Sequence, residues 1–247
     1  MSVRTVRTIW LRELRSYANS PNAWVIAAIF LGLSGLSFAL SVTGRYPEAT
    51  IRGFLFGPIG PIGAFFLTIL LAPALTMRLL AEEQKLGTIE LLLTAPVRDI
   101  EIVLGKYLAA LSILSSMYAL TLYFPLLLFA FGNPDVTPLL TGYLVLFLVG
   151  AVAVAVGLLG SALTANQIVA AITSLAILLV LWLFNATAAL GSPDDAWTDV
   201  VTFLALSEHI RDMAFGVFDT RDIIYFLSLI VFFLFLTVRA VETRRWR

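Results

Sequence analysis

The chain has 247 residues, 60% of them hydrophobic and only 13% charged, with a mean hydropathy of +0.96; soluble domains carry about 25% charged residues, so water is excluded as the main solvent and the bilayer takes its place. Sixteen basic and sixteen acidic side chains cancel, which excludes an overall basic field for nucleic acid. Without cysteine there are no disulfides, thiolate ligands or cysteine nucleophiles, and with His209 as the single histidine no metal or cofactor is expected within the chain.

Residues 3 to 17 have helical periodicity: Val3, Val6, Ile9, Trp10, Leu14 and Tyr17 share one face, and Arg4, Thr8, Arg12 and Arg15 the other. Such a helix is expected to lie in the membrane surface. Glu13 falls within the apolar face, where it either reaches back to water or meets a basic group on a cytoplasmic partner. Asn19, Ser20 and Pro21 then break the helix. The organisation expected is an N-terminal amphipathic helix over residues 1–20 and one membrane domain over 21–247.

A helix needs about 20 apolar residues to cross roughly 30 Å of hydrocarbon. Six segments qualify: Asn22 to Val42, Phe54 to Met77, Ile102 to Phe131, Pro138 to Leu163, Ile168 to Leu190 and Ile223 to Val238. The first is too long and too far from the start to read as a cleaved signal. The second opens on a Gly57 to Gly63 run containing Pro58 and Pro61, so its regular helix is expected to start deeper.

After span two, helix is expected to continue to Lys85, to stop at Gly87 in a left-handed cap, and to restart with Thr88 as N-cap and Glu90 in the first turn. Pro96 ends this short helix and Asp99 opens span three. An apolar helix carrying Ile89 and Leu91 to Leu93 either binds a partner or lies flat at the lipid interface. Lys106, just inside span three, reads as an interfacial anchor whose stem snorkels to water in preference to a specific contact.

Spans four and five are joined by only Thr164 to Gln167, a tight hairpin, and span four sets Ala153, Gly157, Gly160 and Ser161 on one side for close packing, within the subunit in preference to a subunit interface. Inside the spans charge is nearly absent, and Asn185, Thr173 and Ser174 are the polar candidates for a pathway or an interface. A central charge costs at least about 2.5 kcal/mol and marks ion-coupled carriers, so its scarcity argues against that class. The loop over residues 191–222 is acidic, with Val200, Phe203, Leu204, Ile210, Met213 and Val217 in an amphipathic pattern expected to fold as one or two helices on the outer surface. Glu208, His209 and Asp212 are the candidates there for an outer partner, His209 also for a purely structural hydrogen bond. Asp219 to Asp222 read as a cap for span six.

Basic residues are retained in the cytoplasm. They concentrate in the N-terminal segment, the loop after span two and the C-terminal tail, so both termini are placed inside.

The run from Arg78 to Lys106, with its E-E-x-K-x-G-T-x-E-L-L-L-T-x-P and G-K elements, resembles permease subunits of the ABC-2 type transporter family over nearly the whole chain. Blocks at Arg12 to Pro21, Pro73 to Arg78, Leu163 to Ala170 and Gly216 to Ser228 resemble gliding-motility permeases of the GldF type. The resemblance implies an all-α integral membrane fold with six transmembrane helices of the type V exporter kind. It implies a coupling helix at about 78–99 seated on a cytoplasmic ABC ATPase dimer, with contacts among Glu82, Glu83, Lys85, Gly87, Thr88, Glu90 and Pro96. The N-terminal helix is similar to the connecting helix that also touches the ATPase, making Glu13 a candidate contact. A second permease chain, identical or related, is implied alongside, with membrane lipid around both.

The chain is not expected to be an enzyme. A phosphate-binding loop needs G-x-x-x-x-G-K-[ST], and Gly105-Lys106 is followed by Tyr107, with Ile100 where the first glycine belongs. ATP and Mg are therefore assigned to the partner ATPase. The reading is an ATP-driven exporter subunit in a bacterial inner membrane. The alternative is a mechanotransmission subunit that passes ATP-driven motion to a periplasmic accessory protein without moving cargo.

Overall fold

The structure is a computed structural model that describes residues 2–43, 50–57, 63–88, 97–188 and 205–245, with the side chains of 185–188 and 244–245 outside that set. All regular structure among the described residues is helical. Helix α1 (Val3–Ala18) precedes span one, α2 (Pro21–Thr43), and a short helix α3 (Arg52–Phe56) follows. Span two consists of α4 (Ala64–Thr76) and α5 (Ala81–Lys85), and span three of α6 (Asp99–Thr121) and α7 (Tyr123–Phe131). Span four is α8 (Val136–Leu163) and span five is α9 (Gln167–Ala188). A short helix α10 (Leu206–Ala214) precedes span six, α11 (Thr220–Arg245). Six membrane-spanning candidates by length and apolarity thus stand where the sequence puts them.

Span four is the centre. Its most apolar stretch is 89% buried, and spans two, three, five and six all pack against it. The reason is the small-residue side of α8: a Cβ on Gly157 would lie 2.0 Å from the Thr76 hydroxyl of span two, and one on Gly160 would lie 2.0 Å from the Ser174 hydroxyl of span five. These glycines therefore serve contacts within the chain, as expected. The hairpin to span five is closed by Asn166, whose side-chain oxygen accepts from the Ile168 N–H at 2.9 Å and so caps α9.

Span two starts at Ala64, deeper than Phe54 as the Gly57 to Gly63 run led one to expect, and Phe54 is buried in α3, a separate short helix. One feature differs from the sequence reading. Span three is interrupted at Leu122, because Pro125 has no N–H for the Thr121 carbonyl. Tyr143 of span four fills that gap with a hydroxyl at 2.8 Å, as buried backbone in lipid requires.

The two ends of the bundle differ. At one end sit α1, α5 and the start of span three. At the other sit α3 and α10, whose Leu206, Ile210, Met213 and Ala214 are buried against spans four and five. Val217 is exposed, while Val200, Phe203 and Leu204 lie outside the described residues. Spans one, five and six leave most of their length uncovered, with 22%, 17% and 22% of their apolar stretches buried.

Candidate functional site at the broken end of span two

Pro73 weakens α4 near its end, and the helix gives way to turns from Met77 to Leu80 before resuming as α5. The straight continuation expected to Lys85 is thus broken. The Leu79 N–H turns to the Thr76 carbonyl at 3.1 Å, and the freed Leu75 carbonyl accepts the Tyr17 hydroxyl of α1 at 2.8 Å. Burial pushes the Tyr17 hydroxyl well above its ordinary range, with Glu13 adding to the effect, so it remains a neutral donor.

Ser161, at the end of span four, completes the repair. Its hydroxyl donates to the Met77 carbonyl at 3.0 Å and accepts the N–H groups of Leu80 and Ala81, both at 2.9 Å. Gln84 reciprocates, donating to the carbonyls of Ser161 and Ala162 at the end of α8. Each broken helix end satisfies the other, so the elbow formed by residues 77–88 and span four are interlocked.

Above the elbow lies a charge cluster. Lys106 of span three is 1% exposed, and its ammonium lies 3.0 Å from Glu13 of α1 and 2.8 Å from Glu83 of α5. Arg12 closes the ring at 2.9 Å from Glu13 and 3.4 Å from Glu83. Burial alone raises the Glu13 carboxyl, but the charge of Lys106 and the bonds from Arg12 outweigh it and hold the group below its ordinary value of 4.5. The stabilisation this carries is present above the ordinary carboxylate value and is lost as the pH falls through the lower, folded value.

One residue before Lys106, Gly105 explains how α1 comes so near: a Cβ there would lie 2.7 Å from Ile9. The Trp10 indole donates to Ser112 at 3.0 Å further along span three. A mixed-charge cleft of about 590 Å³ opens between α1 and the elbow, lined by Arg12, Glu13, Arg78, Glu82, Glu83 and Lys106 among others.

The predicted coupling residues therefore divide. Glu82 pairs with Arg78 at 3.0 Å, and Glu13 and Glu83 turn inward to Lys106. Lys85, Leu86, Gly87 and Thr88 are exposed, and Gly87 has a φ of +70°, the left-handed cap read from sequence. Glu90 and Pro96 lie outside the described residues. The reading of Lys106 as an anchor snorkelling to water is overturned: two carboxylates on other helices hold its ammonium away from solvent. The apolar face of α1 is packed on span three, although Val3 at its tip is exposed.

Elsewhere the candidates scatter. Ser174 is buried in the seam with span four and donates to Ala170 at 2.7 Å, and Thr173 donates to Val169 at 2.6 Å; neither is brought into the cluster. The Asn185 side chain lies outside the described set. His209 has Nδ1 2.6 Å from Asp222 and stacks on Tyr225, while Asp212 on the same helix is exposed and Glu208 half-buried. Asp219 caps span six through the Arg221 N–H at 2.8 Å.

Sequence reasoning missed Tyr17, Gln84, Gly105, Lys106 and Ser161 as parts of this site. A signal was present for one contact: Glu13 on an apolar face and Lys106 inside a span are misplaced charges of opposite sign, and each is the other's partner.

An all-helical six-span bundle whose helix ends are knitted to an amphipathic N-terminal helix defines a polytopic membrane protein of the transporter-permease class. A family model described as ABC-2 family transporter protein matches residues 8–241, and the chain belongs to that family. It is thus a membrane permease component of an ABC transporter, distinct from the ATPase. No curated protein sequence matches the chain.

Proposed function

We propose that this chain is the permease subunit of an ATP-driven exporter, with the α1 end in the cytoplasm of a bacterial inner membrane and a separate ATPase dimer docked against the exposed Lys85 to Thr88 elbow. A second permease chain, identical or related, stands beside it. The carrying observation is the Lys106 cluster. It joins α1, the elbow and span three, while Ser161 and Gln84 join the elbow to span four. A push on the elbow therefore reaches three spans and α1 through bonded contacts instead of a flexible loop. Similarity of its sequence blocks to gliding-motility permeases supports a motility-associated system as one setting.

The test is co-purification with the ATP-hydrolysing subunit and measurement of stimulated hydrolysis. Lys85→Glu with Leu86→Asp is expected to reduce ATPase recovery at least tenfold while the permease keeps its thermal stability. Unchanged recovery and hydrolysis would remove the docking assignment.

The mechanotransmission reading draws on α10, which packs directly on the central span and so ties the opposite face to the same core. Preserved cargo flux with loss of an accessory protein after exchange of residues 206–214 would favour it.

A further inference from the structure

At the end of the bundle away from α1, Arg52 and Asp135 line one cavity of about 220 Å³, together with Thr50, Ile51, Pro138 and Leu139. The Arg52 guanidinium lies 4.3 Å above the Phe215 ring, yet its Nε is buried with no hydrogen-bond partner among the described residues. Asp135 stands at the N-cap position of span four but makes no side-chain capping bond. Among the described residues the two pair neither with each other nor with another ionised side chain, although they share one pocket.

The placement of Arg52 is built by the fold. Its helix α3 is packed between spans one and two, and Gly216, with a φ of +94°, seats the turn after α10 on Pro138, where a Cβ would come within 3.2 Å. That turn holds Phe215 under the guanidinium. Apolar groups face outward at the same end: Phe131 is 88% exposed, Phe218 56% and Val136 52%. Exposed apolar side chains thus flank the end of the bundle where the pocket opens.

Among the described residues, a guanidinium and an exposed carboxylate, neither with an ionised partner, line one pocket, which suits a ligand that carries both opposite charges. A guanidinium prefers phosphate, which it binds in a bidentate fork. A carboxylate prefers an ammonium that can donate hydrogen bonds. We propose that this cavity binds the headgroup of a zwitterionic phospholipid with a primary amine, phosphate on Arg52 and ammonium on Asp135. The lipid belongs to the outer leaflet if the orientation proposed above holds; the pairing of charges does not depend on it.

The experiment uses the purified full chain in nanodiscs of phosphatidylcholine doped with equal small amounts of phosphatidylethanolamine and phosphatidylglycerol, with retained lipid read by native mass spectrometry after detergent transfer. The wild type is expected to retain phosphatidylethanolamine at least tenfold over the other two. Arg52→Gln is expected to abolish that retention. Asp135→Asn, a change at an exposed position, is expected to shift the preference to the anionic lipid, since only the positive charge remains. Equal retention of all three lipids by the wild type, or an unchanged preference in Asp135→Asn, would overturn the proposal. Competition by millimolar soluble phosphoethanolamine separates the sources. Displacement of the lipid confirms headgroup recognition, whereas saturable binding of the soluble compound without any lipid preference overturns the lipid assignment. Neither outcome depends on ATPase docking, so failure here leaves the proposed function standing, and the reverse.

Discussion

Lys106 is an ammonium held inside a membrane protein by two carboxylates from different helices. Breaking a buried pair by removing one partner costs about 3–5 kcal/mol, because the remaining charge keeps its desolvation without compensation. The lower end applies here, since Glu13 and Glu83 retain a slightly wet edge, at 13% and 18% side-chain exposure. Lys106→Met is therefore expected to destabilise the chain by about 3 kcal/mol, read as a fall in melting temperature of the detergent-solubilised protein. Adding Glu13→Gln and Glu83→Gln to Lys106→Met is expected to restore much of the loss. A melting temperature unmoved by Lys106→Met would show that the cluster contributes nothing to stability.

At the scale of elements, α1 is the piece whose position tertiary contacts decide. Its inner face is held by the Gly105 approach, the Trp10 bond to Ser112, the Tyr17 bond to Leu75 and the Lys106 pair. Of these, the Gly105 contact is the least tolerant, because the neighbour of the missing Cβ is a branched side chain 2.7 Å away with the Val6 backbone behind it. Gly105→Leu is expected to lift α1 off span three without unfolding the bundle. Limited trypsin digestion reads this directly: cleavage after Arg7, Arg12 or Arg15 should accelerate at least tenfold while the span core stays intact. Unchanged cleavage rates would mean that α1 is held by other contacts. The amphipathic pattern of α1 was legible from residue order, but its packing on span three was not, because a lipid interface and an apolar helix face present the same solvent to Ile9 and Leu14.

For the whole molecule, the uneven covering of the spans is informative. Span four is wrapped on all sides, whereas spans one, five and six present apolar faces to lipid or to another chain. We propose that the second permease meets the faces of spans one and five, beside the elbow's span. The absence of native cysteine makes this measurable with single replacements. Ile172→Cys on span five, 62% exposed, is expected to give an oxidised dimer in native membranes, and Ile224→Cys on span six, 65% exposed, is not. Dimer formation from span six alone would move the interface.

Residue order by itself determined the number of spans, the central hairpin, the Gly87 cap and the cap of span six, since each depends on local hydrophobic length or on one residue's backbone preference. Tertiary structure decided what the polar residues within those elements do. Ser161, Gln84 and Tyr17 are unremarkable letters until a helix breaks beside them and leaves carbonyls and N–H groups to be filled. Glu13, Glu83 and Lys106 are separated by up to 93 positions, so their pairing is a property of packing, which burial in a low-dielectric interior makes nearly obligatory.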